Sequence, residues 1–330
     1  MSQFYVTGGR QRKGAKGHEE WFSYAEALIM KVDTDTQKVV PVVSYESPAE
    51  HRPSELRSNI VFKAGTKVKD HLYVCTQTEV LTYSLPDFEL IDCLSHPWFN
   101  DLHYVTVNAA GNFLVTVTGL DLIVEITPNG EIVRELPVLE EDVWKRFDRD
   151  TDYRRVLTTK PHHSHPNYLF EYDGEIFATR LEQRDVACVT DRSRFISPGI
   201  EKLHDGVIHD DKVYLTSVDS HVVVADPATG KVLQIHDLSE MSKTNKTLGW
   251  CRGIYVLGDN KVLIGFSRVR PSKIRENLRW VKHQVRLRGD AGMLGTRIGC
   301  YDLARGVHEW DIDLEPFQMN AVFSILPAYE

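Results

Sequence analysis

The chain has 330 residues, 42% apolar and 26% charged, which is enough for one large core, and no apolar run approaches a membrane span in length. A formal net charge of −8 argues against general affinity for nucleic acid or an acidic membrane surface. The five cysteines are odd in number and form no C-x-x-C pair, which argues against a disulfide framework or zinc knuckle; with no basic and apolar leader after Met1, a cytoplasmic location is expected.

In chain order, a strand over Phe4 to Thr7 precedes a basic, glycine-rich insert at residues 8–20, and ALIMKVDTDTQKVVPVVSY then supplies two strands about a polar turn. Residues 59–94 and 101–136 each read as four strands, with AAGN and TPNGE as hairpin turns in the second set. The pattern breaks at residues 138–165, where Leu139, Val143 and Phe147 fall at helical spacing and predict a short helix and loop. Strands resume over residues 166–191. The clearest unit follows at residues 204–235, HDGVIHDDKVYLTSVDSHVVVADPATGKVLQI, a four-stranded antiparallel meander of the kind that forms a propeller blade.

A polar insert at residues 237–250 leads into the last unit, CRGIYVLGDNKVLIGFSRV, which resumes only at TRIGCYDLARGVHEWDIDL. Between its halves, Arg268 to Arg288 carries eight Lys/Arg against Glu276 alone, a local net of +7. Ile274, Leu278, Val281 and Val285 give this segment an apolar helical stripe beside Arg275, Arg279, Lys282 and Arg286. It is read as a helix that serves as a lid or as the site of a protein partner, with a solvated surface helix as the competing reading. NAVFSIL near the C-terminus has no unit of its own and completes the three-stranded N-terminal one.

The expectation is therefore an all-β, single-domain, six-bladed β-propeller over residues 1–330, closed by pairing of the N- and C-terminal strands. Short helical inserts are expected on one face, since closure removes exposed strand edges. The inserts at 8–20, 138–165, 237–250 and 268–295 all map to the face where the inner strands begin. Polar residues gather there: Asn59, Asp101, His103, His165, Asn167, His204, Asp205, Arg252 and Asn320 at inner-strand entries, with Arg180, His221 and Arg268 just after second strands.

His103, His165 and His204 come from three consecutive blades, and their imidazoles suit a first-row divalent metal, with Asp101 and Asp205 as further ligands or as acceptors orienting a ring. The competing readings are a metal-free polar pocket and a purely structural set of axial histidines that hydrogen-bond loop backbone and water. In the HHSH run only His165 has a blade-based reason to face inward. His204, then His221, are the candidate general acid or base. Arg52, Arg180, Arg252 and Arg268 are candidate carboxylate or phosphate binders, or else ion-pair partners of nearby acids. Asn59, Asn167 and Asn320 complete the expected substrate-binding set.

The strand–turn–strand repeats ALIMKVDTDTQKVV, LIVEITPNGEIV, VVVADPATGKVL and IGCYDLARGVHEW resemble blades of the NHL and SMP-30-like propellers, a group that includes gluconolactonases, strictosidine synthases and streptogramin lyases. In the lactonases this resemblance implies an axial divalent metal on a Glu, Asn and Asp set. Asn167 and Asp205 match two of those types, whereas histidines stand where the Glu would be. A streptogramin-type lyase implies an axial His base beside a metal, a role His204 matches in kind. The expected function is an enzyme acting at the propeller axis on an anionic small molecule, by metal- or His-assisted elimination, hydrolysis or isomerisation. The competing expectation is a noncatalytic scaffold presenting the basic segment at 268–288 to a protein partner.

Overall fold

In the structure, a computed structural model describing residues 2–13, 23–53, 58–269 and 292–329, strands of four to ten residues dominate and one two-residue strand completes them. The first blade takes β1 (Gln3–Gln11), β2 (Tyr24–Asp33) and β3 (Lys38–Tyr45), and the second β4 (Gly65–Val68), β5 (His71–Cys75), β6 (Val80–Ser84) and β7 (Leu90–Leu94). The third has β8 (Leu102–Val107), β9 (Phe113–Val117), β10 (Leu122–Ile126) and β11 (Ile132–Pro137), and the fourth β12 (Pro166–Tyr172), β13 (Glu175–Arg180), β14 (Asp185–Cys188) and β15 (Phe195–Ile196). The fifth has β16 (Leu203–His209), β17 (Lys212–Ser217), β18 (His221–Ala225) and β19 (Val232–Asp237). The sixth has β20 (Trp250–Gly258), β21 (Lys261–Ser267), β22 (Arg297–Asp302) and β23 (Val307–Asp313), and β24 (Ala321–Pro327) returns to the first blade.

Each blade is a four-stranded antiparallel sheet, and the first has the order β24-β1-β2-β3, so the two ends of the chain close the ring as expected. Closure depends on close approach: a Cβ added at Gly8 would lie 1.8 Å from the Ala321 carbonyl oxygen. The hairpins joining first and second strands are tight. Asp173–Gly174, Asp210–Asp211 and Asp259–Asn260 all have positive φ at both central positions, the type I′ geometry that matches strand twist. Between blades, the alternating apolar residues form the core, in which Phe4, Tyr5, Phe62, Phe177, Phe266 and Tyr301 are fully buried. Among the described residues no helix is long and apolar enough to cross a membrane.

Three local expectations need correction. β1 continues through Gly8 to Gln11, because all four residues pair with β2 and Gly8 and Gly9 also pair with β24, so the insert begins four residues later than expected. The helix predicted within 138–165 is replaced by 3₁₀ turns at Val143–Lys145 and Tyr153–Arg155. Aspartates break it: Asp142, Asp148 and Asp152 each accept a hydrogen bond from the backbone N–H two residues on, satisfying locally the donors a helix would use. The fourth blade extends past Asp191, with Phe195–Ile196 as its outer strand.

Candidate functional site

The inner strands do not run straight into the axis. β8 shifts register between Leu102 and Tyr104, β12 between Pro166 and Leu169, β16 between Leu203 and Gly206, and β20 between Arg252 and Ile254. The β1–β24 pairing slips likewise at Thr7/Gly8, opposite Phe323. These bulges carry His103, Asn167, His204 with Asp205, Gly253 and Phe323, re-aiming residues that a regular strand would alternate away.

A hydroxyl on the second strand fastens most of these bulges. Thr116 Oγ1 accepts from Tyr104 N at 2.7 Å, Thr179 from Tyr168 N at 3.0 Å, Thr216 from Asp205 N at 3.2 Å and Thr7 from Ser324 N at 3.0 Å. The same hydroxyls tie blades together: Thr7 donates to the Lys63 carbonyl and Thr179 to the His204 carbonyl, both at 2.9 Å.

A cavity of about 540 Å³ opens over this ring of bulges on the looped face. Of the expected site residues it is lined by Asn59, Asp101, His103, His165, His204 and Arg252. His103 and His165 rings are 4.9 Å apart edge to face, and His103 and His204 are 5.8 Å apart. Burial, then the Lys63 charge, pushes His103 down to about 3. Burial also depresses His165, helped by His103 and His162, and depresses His204 despite the opposing Asp205. The axial imidazoles are therefore neutral at pH 7. Burial works the other way on Asp101, but Lys63 and His103 outweigh it and hold the carboxyl well below the usual range. Asp101 and His165 both adopt positive φ, 48° and 58°, a conformation that Asp and His tolerate better than most residues and that here places both side chains at the cavity.

Lys63 is the residue that sequence reasoning missed. Asn59 was expected at the inner entry of the second blade, but β4 starts later, and Lys63 takes the axial register. Its side chain is 8% exposed, with Nζ 3.1 Å from His103 Nε2, 3.5 Å from Asp101 Oδ1 and 5.0 Å above the Phe323 ring. Arg252 lies over the same ring at 4.3 Å. A lone lysine inside the apolar run Ile60-Val61-Phe62-Lys63-Ala64 was the available signal. Phe323 corrects a second register in the same way: it stands on the axis in the first blade, whereas Asn320 spans Gln11 N at 2.8 Å and Glu315 Oε2 at 2.8 Å.

Asp121 is a second residue that sequence reasoning missed, and unlike Lys63 it has no sequence signal. It is 1% exposed, and its carboxylate accepts from the backbone N–H groups of His163, Ser164 and His165 at 2.8, 3.0 and 2.7 Å while pairing with Arg146 at 3.0 Å. This clamp turns the HHSH run so that His162, and not His165 alone, faces the cavity, and the two Nδ1 atoms come within 2.7 Å.

The remaining candidates lie apart from the cavity lining. Arg180 makes a bidentate pair with Asp185 at 2.8 and 2.6 Å, Arg52 pairs with Glu46 at 3.0 Å, and Arg268 pairs with Glu315 at 3.1 Å and also donates to Gln11. His221 pairs with Asp219 at 3.1 Å. Asn167 is fully buried below the cavity, and neither amide atom has a hydrogen-bond partner among the described residues. Of the segment 268–288, only Arg268 and Val269 are among the described residues; the expected helix, and the partner site placed on it, lie outside them.

For a metal, the expected donors divide. Asp205 Oδ2 is 3.0 Å from His204 Nδ1, and the Lys63 ammonium stands at His103 Nε2, where a cation would face its charge. Asp101, His162 and His165, by contrast, bring one donor atom each within 4.8 Å of one another, a carboxylate and two imidazoles of the types a first-row divalent ion takes.

No family model matches the chain, and no curated protein matches it in sequence. Among solved structures it is similar to a protein of unknown function from Bacteroides caccae, at 11% identity over 100% of both chains with a TM-score of 0.60. It is also similar to a chain of a nidogen/laminin complex, at 8% identity over 99% of this chain and 100% of that one, with a TM-score of 0.56. A streptogramin B lyase structure aligns at 10% identity over 80% and 86% of the two chains, with a TM-score of 0.47. At these identities the likeness is one of architecture alone, and the chain's own six four-stranded antiparallel sheets form a six-bladed β-propeller.

Proposed function

We propose that this chain is an enzyme that binds an anionic small molecule in the axial cavity and moves a proton there through His204, in a lyase, isomerase or hydrolase reaction. One observation carries the reading: in a chain of net charge −8, the cavity is lined, among the described residues, by Lys63, Lys160, Lys202 and Arg252 against Asp101 and Glu182, and a neutral histidine with an aspartate behind it stands among them.

The roles follow from the donors. His204 Nδ1–H donates a hydrogen bond to the Asp205 carboxylate, which keeps the proton on Nδ1 and leaves Nε2 with the lone pair, the arrangement of a general base. Arg252 presents a planar fork suited to a carboxylate or phosphate, and Lys63 adds a point charge beside it. When a proton leaves a carbon next to a carboxylate, the electron pair spreads onto the carboxylate oxygens, where these two cations stabilise it. A divalent cation held by Asp101, His162 and His165 would supply Lewis acidity toward the same charge.

Calorimetry with malonate and inorganic phosphate tests the binding step. Binding to the wild type, weakened roughly 10-fold or more in both Arg252→Ala and Lys63→Met, is the expected result. Equal affinity in wild type and variants, or no binding of either anion, overturns the proposal.

A further inference from the structure

A second cluster of donors lies outside the axial cavity, between the first and second blades. His51 ends the 3₁₀ turn Ala49–His51, Glu79 sits in the turn between β5 and β6, and Cys93 is on β7. His51 Nδ1 is 2.9 Å from Glu79 Oε1, and Cys93 Sγ is 3.9 Å from His51 Nδ1 and 3.7 Å from Glu79 Oε1. The Glu79 side chain has no exposed surface, while His51 is 23% exposed and gives the cluster a route to solvent.

These separations resemble those of ligands around one tetrahedral ion. Bonds of about 2.3 Å to sulfur and about 2.05 Å to nitrogen or oxygen put sulfur about 3.6 Å from each other donor, and nitrogen about 3.3 Å from oxygen. Two of the three observed distances are within a few tenths of an ångström of this, and only the His51–Glu79 hydrogen bond must open. The carboxylate is also held from outside: Tyr45 Oη donates to Oε1 at 2.8 Å, and Ser47 and Thr76 hydroxyls donate to Oε2 at 2.5 and 2.8 Å. Such outer partners fix a ligand's orientation before an ion arrives.

We propose that His51, Glu79 and Cys93 form a three-ligand site for a zinc-class divalent cation, with a fourth position open to water. Thiolate, imidazole and carboxylate together select a borderline-soft, tetrahedral ion over magnesium or calcium. On binding, the Cys93 thiol loses its proton to solvent, His51 coordinates as the neutral ring and Glu79 as the carboxylate, so the site keeps two negative ligands against the dication. The site ties the turn at 49–51 to the second blade, beside the cleft that shares Asn59, Gln77, Asn100 and Leu157 with the axial cavity.

Cobalt distinguishes this site from the axial one, because only here is a cysteine among the donors. Full-length protein purified without an affinity tag and stripped with chelator is titrated with Co²⁺. One equivalent should produce a sulfur-to-cobalt charge-transfer band in the near ultraviolet, which Cys93→Ser abolishes and His165→Ala retains. Tyr45→Phe, which leaves all three ligands in place, should weaken cobalt binding by roughly 10- to 100-fold. Absence of the band in the wild type, or its persistence in a Cys93→Ser protein with wild-type circular dichroism, overturns the proposal. So does cobalt uptake lost in His165→Ala but unchanged in Cys93→Ser, which would leave the axial reading standing alone.

Discussion

His204 Nδ1 and Asp205 Oδ2 stand 3.0 Å apart, with both side chains 5% exposed, although the residues are adjacent in a strand. Neighbours in a regular strand point to opposite faces; the bulge between Leu203 and Gly206 brings these two together. Asp205→Asn should therefore remove the preference for a proton on Nδ1. Long-range proton–nitrogen NMR is expected to show His204 as the Nδ1–H tautomer in the wild type and as a mixture or the reverse in the variant. Once a substrate is in hand, His204→Ala should lower kcat by about 10²- to 10⁴-fold, the usual worth of a positioned general base.

Phe323 closes the axis between the looped-face cavity and the opposite mouth, and it lies under both Lys63 and Arg252. Phe323→Ala should cost about 3–5 kcal/mol in urea unfolding, from lost burial and an unfilled cavity. Phe323→Leu refills most of the volume but no longer offers a ring face to the cations, so the difference between the two variants separates packing from the cation–π share of about 1 kcal/mol.

Asp121 gathers three backbone N–H groups and Arg146 around one buried carboxylate. Asp121→Ala is expected to destabilise the chain by about 3 kcal/mol or more, since each buried donor left unpaired costs about 1–3 kcal/mol. Asp121→Asn keeps acceptor capacity and should fall between. Because the clamp orients His162 and His165, the same variants should weaken any metal binding at the axis, measurable by calorimetry on folded protein.

His221 and Asp219 supply a pH-dependent increment of stability. Burial opposes charging of His221, but the hydrogen bond and charge of Asp219, with Asp237 behind it, raise its pKa. A folded value above the unfolded value of about 6.5 means that the stabilisation is complete below about pH 6.5 and is lost as pH rises through the folded pKa. Asp219 is shifted the other way: burial would raise it, but His221 and Ser217 lower it, so its share is lost only as strong acid protonates the folded carboxyl. In urea unfolding, the deficit of His221→Gln relative to wild type should be large at about pH 5.5 and shrink by about pH 9.

The amino-acid sequence by itself determined the blades, their number and their closure, because alternation of β-branched residues and Asp/Asn-Gly turns are local properties. It also determined that Asp101, His103, His165, His204 and Arg252 stand on one face, since entry points follow from strand count alone. Only the tertiary structure decided what these residues meet. Bulge register set the axial residue in five blades and put Phe323 where Asn320 was expected, while in the second blade the later start of β4 put Lys63 where Asn59 was expected. Ion pairing settled the arginines in the same way: Asp185 lies five residues from Arg180, yet strand pairing, not sequence distance, turned that fork onto it and away from the axis. A one-residue slip reverses the direction of a side chain, the hydroxyls that hold those slips come from neighbouring strands and the Asp121 carboxylate that clamps residues 163–165 comes from the turn before β10, so the site was fixed by contacts that no local pattern records.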